Sequence, residues 1–450
     1  MLSRSRRDFL KSTIRSVTAL GAAGALSKFG EINALAAGGA NYQALVCINL
    51  AGGNNGHNTV IPITTAQQNY SLYQAGRQGL ALPQNALLPI STGADTYGLH
   101  PNLPEIQALY NSGRAAILAN VGMLVTPMNR SSYNQPNAVV PNSLFSHSDQ
   151  TSQWQTIVPT GLGSNGWGGR VADQLASLNT GAQFPTITSI SGCGLFCVGQ
   201  SSLPANIPAS GPVQINGALN NASRTQAMQT LLQFDNGLQL VQAANGILTR
   251  GNNYANQLAA LIATAKINTT FPAGNPLADQ LLMVAKLISL RGALGLSRQI
   301  FFCTLGGFDT HSDEMNTQVM LLTQFSQAVG AFYTATQELL VDQNVVTFTT
   351  SEFGRTLTPN SNAGTDHAWG NHHFIIGTAV KGGQMYGSFP SLALGSMNDT
   401  NSRGTLIPTT AVDQYAATLA QWFGVGSGAA LSQIFPNLGN FGTSNLGFLG

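Results

Sequence analysis

Charge is what this 450-residue chain has least of: Asp, Glu, Lys and Arg together make up 8%, with 17 acidic against 19 basic residues and a net charge of +2. No basic run follows the N-terminus, so the electrostatic footprint of nucleic-acid binding is missing. Beyond the N-terminal segment no stretch reaches the roughly 18 consecutive apolar residues of a membrane span, so no stable span is expected. Cysteine is scarce: Cys47, Cys193, Cys197 and Cys303 are too few for a disulfide scaffold at this length. Cys193 and Cys197 share a glycine-containing loop and could pair in an oxidising compartment. Cys47 and Cys303 lie in apolar runs and read as small buried hydrophobes. Glycine is plentiful, at 50 residues, but follows no Gly-X-Y period, which excludes collagen and implies many turns.

A hydrophobic content of 43% is ample for a core, leaving Asn, Gln, Ser and Thr to make the surface polar. At the N-terminus, Ser5-Arg6-Arg7-Asp8-Phe9-Leu10-Lys11 fits the twin-arginine export motif, ahead of an Ala/Gly-rich apolar run. Ala34-Leu35-Ala36 supplies an A-x-A processing site. A signal peptide over residues 1–36, passage through the twin-arginine translocase and a periplasmic or secreted mature chain are therefore expected. Export by this route follows folding, which suits proteins that load a metal inside the cell.

Apolar runs at 44–50, 115–121, 299–305, 345–350 and 374–380 lack strict alternation and predict strands buried on both faces. Helical patterns separate them. Leu322, Phe325, Val329 and Phe332 recur at helical spacing behind Asp313 and Glu314, whose charge suits a helix start. Residues 277–290 and 412–422 are similarly periodic. Strands alternating with helices predict one α/β domain over 37–450 with a largely parallel sheet, carrying a helical insertion at about 201–276 that is rich in Asn, Ala and Gln.

Set against so few charges, residues 305–373 stand out, holding Asp309, His311, Asp313, Glu314, Glu352, Asp366, His367, His372 and His373. In an open parallel sheet ligands gather beyond the carboxyl ends of strands, and each motif here begins where a predicted strand stops. Asp309 and His311, two residues apart, can face one side, and carboxylate oxygen with imidazole nitrogen suits a divalent transition metal. The bland reading is a turn-capping Asp beside a surface His. His367 is the preferred further ligand, with Asp366 either orienting it or binding a neighbouring ion. His372 and His373 precede a predicted strand and would edge the cleft. Glu352 is either a metal ligand or half of an ion pair with Arg355, whose fork could instead clamp a phosphate or sulfate. Ser146, ahead of a helical stretch, is either a cap or a nucleophile placed where backbone amides bind anions.

The ordered motifs LAGGNNGHNTVIP from Leu50, SHSDQTSQW, NGWGGR, GGFDTH, SEFGRT, GTDHAWG and VDQYAATLAQWFG span nearly all of the mature chain. Together they resemble the family called domain of unknown function 1501, itself similar to the alkaline phosphatase and sulfatase superfamily. The resemblance implies an alkaline-phosphatase-like three-layer sandwich with a mostly parallel sheet. It also implies a divalent ion, with zinc, manganese and calcium as candidates, held by Asp309, His311 and His367. The second metal position of that superfamily falls on Asn55, a neutral amide, and on Glu352-Phe353 in place of Asp-His. The expected function is an exported metal-dependent hydrolase-like protein acting on phosphate or sulfate esters of small molecules or glycans. The alternative is a catalytically inactive exported binding or structural protein that keeps the fold.

Overall fold

The computed structural model describes residues 42–182, 184–192, 194–213, 221–234 and 237–450. The expected signal peptide and Cys193, with its pairing to Cys197, lie outside the described residues. Twelve strands form among them: β1 (Gln43–Ala51), β2 (Val60–Thr64), β3 (Leu88–Thr92), β4 (Asp95–Leu99), β5 (Ala115–Gly122), β6 (Ile187–Ser189), β7 (Ala205–Asn206), β8 (Arg298–Gly306), β9 (Val345–Thr350), β10 (Asn371–Ile376), β11 (Met385–Tyr386) and β12 (Thr410–Ala411). Nine of them make one sheet in the order β11-β5-β10-β9-β1-β8-β6-β7, with β12 beside β5. Every pairing in it is parallel except those of β10 with β5 and β9. A small antiparallel sheet, β2-β4-β3, stands apart.

The central strands are apolar throughout because both faces are covered. Along β1, Ala44, Val46, Ile48 and Leu50 enter one core, while Leu45 and Cys47 enter the other. On β8, Phe301, Cys303 and Leu305 join the first and Ile300 and Phe302 the second. Side chains that alternate across a strand thus feed two cores, and the uninterrupted apolar run is explained. Helices Pro276–Ser289 and Glu314–Glu338 close the first core; Trp167–Gln174 and Val412–Phe423 close the second. The result is a three-layer α/β sandwich.

Helix starts follow from side chains able to satisfy the free amides of a first turn. Asn275 accepts from the N–H groups of Leu277 and Ala278, both at 3.1 Å, and Pro276 opens the helix. Between 201 and 276 run the helices Ala222–Leu232 and Gln239–Ile262; within the second only Ala255 and Leu258 are buried. No helix among the described residues is long and apolar enough to cross a membrane.

One strand departs from expectation. The run predicted at 374–380 forms β10 three residues earlier, so His372 and His373 lie inside a buried strand and do not edge a cleft. Aromatic stacking hides them: His372 on Phe389 at 4.7 Å, His373 against Trp154 at 5.0 Å and Tyr415 at 5.9 Å. Burial lowers the pKa of His57, His372 and His373 from 6.5 to about 3, and that of His100 to about 4. The unfolded chain therefore binds more protons than the folded one between pH 6.5 and about 3, and stability falls as pH drops through that window. Urea denaturation between pH 8 and 4 should show a midpoint that is flat above pH 7 and declines below pH 6.5, each such histidine adding up to about 1.4 kcal/mol per pH unit. A midpoint unchanged from pH 7 to 5 would contradict this.

Candidate metal centre

Three parallel strands, β8, β1 and β9, end side by side, and the loops that leave them must pass within contact distance of one another. Gly52 follows β1 with φ +117°, and a Cβ there would stand 2.3 Å from the Asp309 nitrogen. Next to it, Gly53 at φ +81° would put a Cβ 2.4 Å from the Phe353 ring. Only glycine allows these approaches. Arg355 fixes them. Its side chain is fully buried, donating from Nε to Gly53 O (2.9 Å), from Nη1 to Thr365 O (3.0 Å), and from Nη2 to Gly52 O (2.5 Å) and Asp309 Oδ1.

Around Asp309 Oδ1 stand three imidazole nitrogens: His311 Nε2 at 3.1 Å, His367 Nε2 at 3.3 Å and His147 Nε2 at 3.4 Å. His311 Nε2 and His367 Nε2 are 2.8 Å apart. The ligand atoms of His147, Asp309 and His367 all lie within 4.8 Å of one another, close enough for one ion to reach all three, and His311 Nε2 stands beside Asp309 and His367.

The far nitrogens decide what the near ones can do. His367 Nδ1 donates to Phe145 O at 2.6 Å, His147 Nδ1 donates to Glu352 Oε1 at 2.9 Å, and His311 Nδ1 lies 3.5 Å from Asp366 Oδ1. An acceptor behind the His367 and His147 rings assigns the proton to Nδ1 and turns an Nε2 lone pair inward, the arrangement of metal-binding histidines. Burial lowers the His367 pKa from its usual value, against the pull of the Phe145 carbonyl, which favours the neutral, lone-pair form. His147 Nε2 is buried without a hydrogen-bond partner. Lone pairs that converge at 2.8–3.4 Å require a proton or a cation between them. Asp309 supplies the compensating charge: burial pushes its carboxyl up, but Arg355, then His311 and His147, bring it down to about 2. These residues fit a divalent ion.

The sequence pattern described as "Protein of unknown function (DUF1501)" matches residues 42–430. The chain belongs to this family. No curated protein matches this DUF1501 chain. Among solved structures it is similar to a sulfatase from Pseudoalteromonas sp., at 11% identity over 86% of this chain and 74% of that one, TM-score 0.33. It is also similar to phosphonate monoester hydrolase of Agrobacterium radiobacter, at 8% identity over 85% and 74%, TM-score 0.34. A further likeness is the C-terminal periplasmic domain of EcEptC from Escherichia coli in complex with Zn, at 8% identity over 76% and 74%, TM-score 0.32. Nothing about chemistry is taken from likenesses this remote.

Several expected roles change in this DUF1501 protein. Asn55 caps the short helix Gly56–Thr59, accepting from His57 N–H at 3.0 Å and donating to Glu314, so its amide is committed away from the histidines. Glu352 is drawn behind His147 and accepts from Gly52 N–H at 2.8 Å; it orients an imidazole where a ligand was expected. Arg355, expected to clamp a substrate anion, is a buried tie between loops. Ser146 heads the helix His147–Thr156, yet its hydroxyl caps no amide and donates to Asp149 Oδ2 at 2.6 Å. The neighbour that reaches the centre is His147, which sequence reasoning passed over for Ser146. Its signal was in SHSDQ: the first residue of a helix that starts beside the strand ends. Phe353 packs tilted against the site, its ring 4.6 Å from His367 and 4.8 Å from His147.

Elemental analysis of purified protein should find about one divalent ion per chain, lost in His147→Ala and Asp309→Ala. Glu352→Gln, which keeps shape and weakens the acceptor behind His147, should reduce metal affinity about 10- to 100-fold. Stoichiometric metal retained in the His147 variant would remove that residue from the ligand set.

Proposed function

We propose that this protein is an exported, metal-dependent hydrolase-like protein that acts on phosphate or sulfate esters of small molecules or glycans. The observation that carries the reading is the convergence of three Nε2 atoms on Asp309, with His147 and His367 each backed by an acceptor at Nδ1. A divalent ion held by His147, Asp309 and His367, with His311 alongside and a coordination position left open, would supply Lewis acidity toward an ester oxygen. The side chains of Asp309 and His311 are 47% and 44% exposed, so an ester can approach from solvent. Asp309 keeps its negative charge through Arg355, and Phe353 shields the inner side of His147 and His367 from water. The attacking group is water or Ser146; for Ser146, Asp149 Oδ2 stands 2.6 Å from Oγ to take the proton as the new bond forms. Export through the twin-arginine translocase to the periplasm or beyond rests on the motif around Arg6 and Arg7.

A second reading is favoured by His147. A shell filled by His147, Asp309, His311 and His367 would leave no position for water or substrate, the pattern of an ion that stabilises structure and turns nothing over. The protein would then be a binding or structural component.

One experiment separates the two. With p-nitrophenyl phosphate, p-nitrophenyl sulfate and sulfated oligosaccharides as substrates, the hydrolase reading expects turnover that is lost on chelation and restored by one added metal. Asp309→Ala should reduce it at least about 100-fold. Metal-loaded protein that melts at a higher temperature than the chelated form, but hydrolyses none of these esters, would overturn the hydrolase reading in favour of the second.

A further inference from the structure

At the opposite end of the sheet from the metal centre, the helix Gln239–Ile262 does not close onto the body along its whole length. It leaves a cleft of about 780 Å³ against the segments that lead into β6 and β7. That volume falls within the roughly 300–1,000 Å³ of ligand clefts. The nine residues of β8 separate the cleft from the strand ends that carry Asp309, a distance on the order of 25 Å.

The wall that the helix presents to the cleft is polar and open to solvent. Arg250, Asn253, Tyr254 and Gln257 all line the cleft, and their spacing of i, i+3, i+4 and i+7 places them on one stripe. A helix packed on a core ordinarily turns an apolar stripe inward. Here the two buried positions, Ala255 and Leu258, anchor the helix to one side of a polar stripe that stays open. No hydrogen bond or ion pair among the described residues engages the Arg250 guanidinium or the Asn253 and Gln257 amides. Tyr254 is held rigid by edge-on contact with Phe184, ring centroids 5.6 Å apart, which leaves an aromatic surface in the cleft wall. The facing loop is fixed as well: Asp173 accepts from the backbone N–H groups of Gln200 (2.6 Å), Ser201 (3.2 Å) and Ser202 (2.6 Å). None of the residues lining the cleft is acidic, and Arg250 is the one charged residue among them.

We propose that this cleft is a second binding site, separate from the metal centre, for an acidic oligosaccharide. An aromatic ring suits the apolar C–H face of a sugar, while a phenol and two carboxamides suit its hydroxyls. The guanidinium fork suits a carboxylate or sulfate substituent. An all-apolar ligand would strand the Arg250 charge and both amides; a cationic one would be repelled.

The test is calorimetric titration of the metal-loaded mature protein with tetragalacturonate, a chondroitin 4-sulfate tetrasaccharide, neutral cellotetraose and inorganic sulfate. At least one acidic tetrasaccharide should bind, with cellotetraose and sulfate each weaker by about 10-fold or more. Arg250→Gln and Tyr254→Ala, both on a solvent-facing stripe, should each weaken it by about 10-fold, whereas His147→Ala, which alters the metal centre and leaves the Arg355–Asp309 pair in place, should leave it unchanged. Failure of both acidic tetrasaccharides to bind would overturn the proposal. So would binding that survives both cleft substitutions, or that disappears in the His147 variant, since the sugar would then sit at the metal centre.

Discussion

A single buried cation, Arg355, holds the functional end of the molecule together. Its guanidinium has no contact with solvent, so its charge must be matched inside the protein, and Asp309 is the group that matches it. An uncompensated buried charge costs about 3–5 kcal/mol, which makes the position of Asp309 a condition of folding as much as of chemistry. The same guanidinium binds the carbonyls of Gly52, Gly53 and Thr365, so three loops are set by one planar group. The imidazoles gather around a carboxylate that was going to be there in any case.

Phe353 gives the centre its character. Where the superfamily resembled by the sequence would place a second pair of ligands, this chain has Glu352, committed to His147 and the Gly52 amide, and an aromatic ring under two imidazoles. Asn55 is likewise taken up by Glu314, which also pairs with Arg77 deep in the fold. Asn55 and Glu352 are framework groups, and the donors that face the centre are His147, Asp309, His311 and His367. That arrangement accommodates either a mononuclear hydrolytic site or a closed structural one, with His147 as the residue on which the difference turns.

The sheet was legible in the sequence because a strand buried on both faces leaves a plain mark. The runs at 44–50, 115–121, 299–305 and 345–350 fall on β1, β5, β8 and β9 to within a residue at each end. β10 was misplaced for a physical reason: its first residues, Asn371, His372 and His373, are polar, and they are buried by ring stacking and hydrogen bonds that hydropathy does not register. The location of the centre was legible too, since Asp309, His311 and His367 stand where strands end. What could not be read was the division of labour. Whether Arg355 faces solvent, whether Glu352 coordinates or orients, and whether Ser146 or His147 turns toward Asp309 depend on tertiary packing between segments roughly 160 to 300 residues apart in the chain.

β10 runs against its neighbours, and it lies directly beside β9. The excursion between them, residues 351–370, therefore leaves the sheet and returns to it at adjacent points, like a handle with both feet on one plank. Glu352, Arg355, Asp366 and His367 all ride on that handle, so their mutual spacing is governed by a short, doubly anchored span. Distant parts of the molecule, the insertion helices included, can shift without altering it. The spacing of those four residues can thus outlast changes in the rest of the chain, whereas Asp309, His311 and His147 reach the centre from other segments.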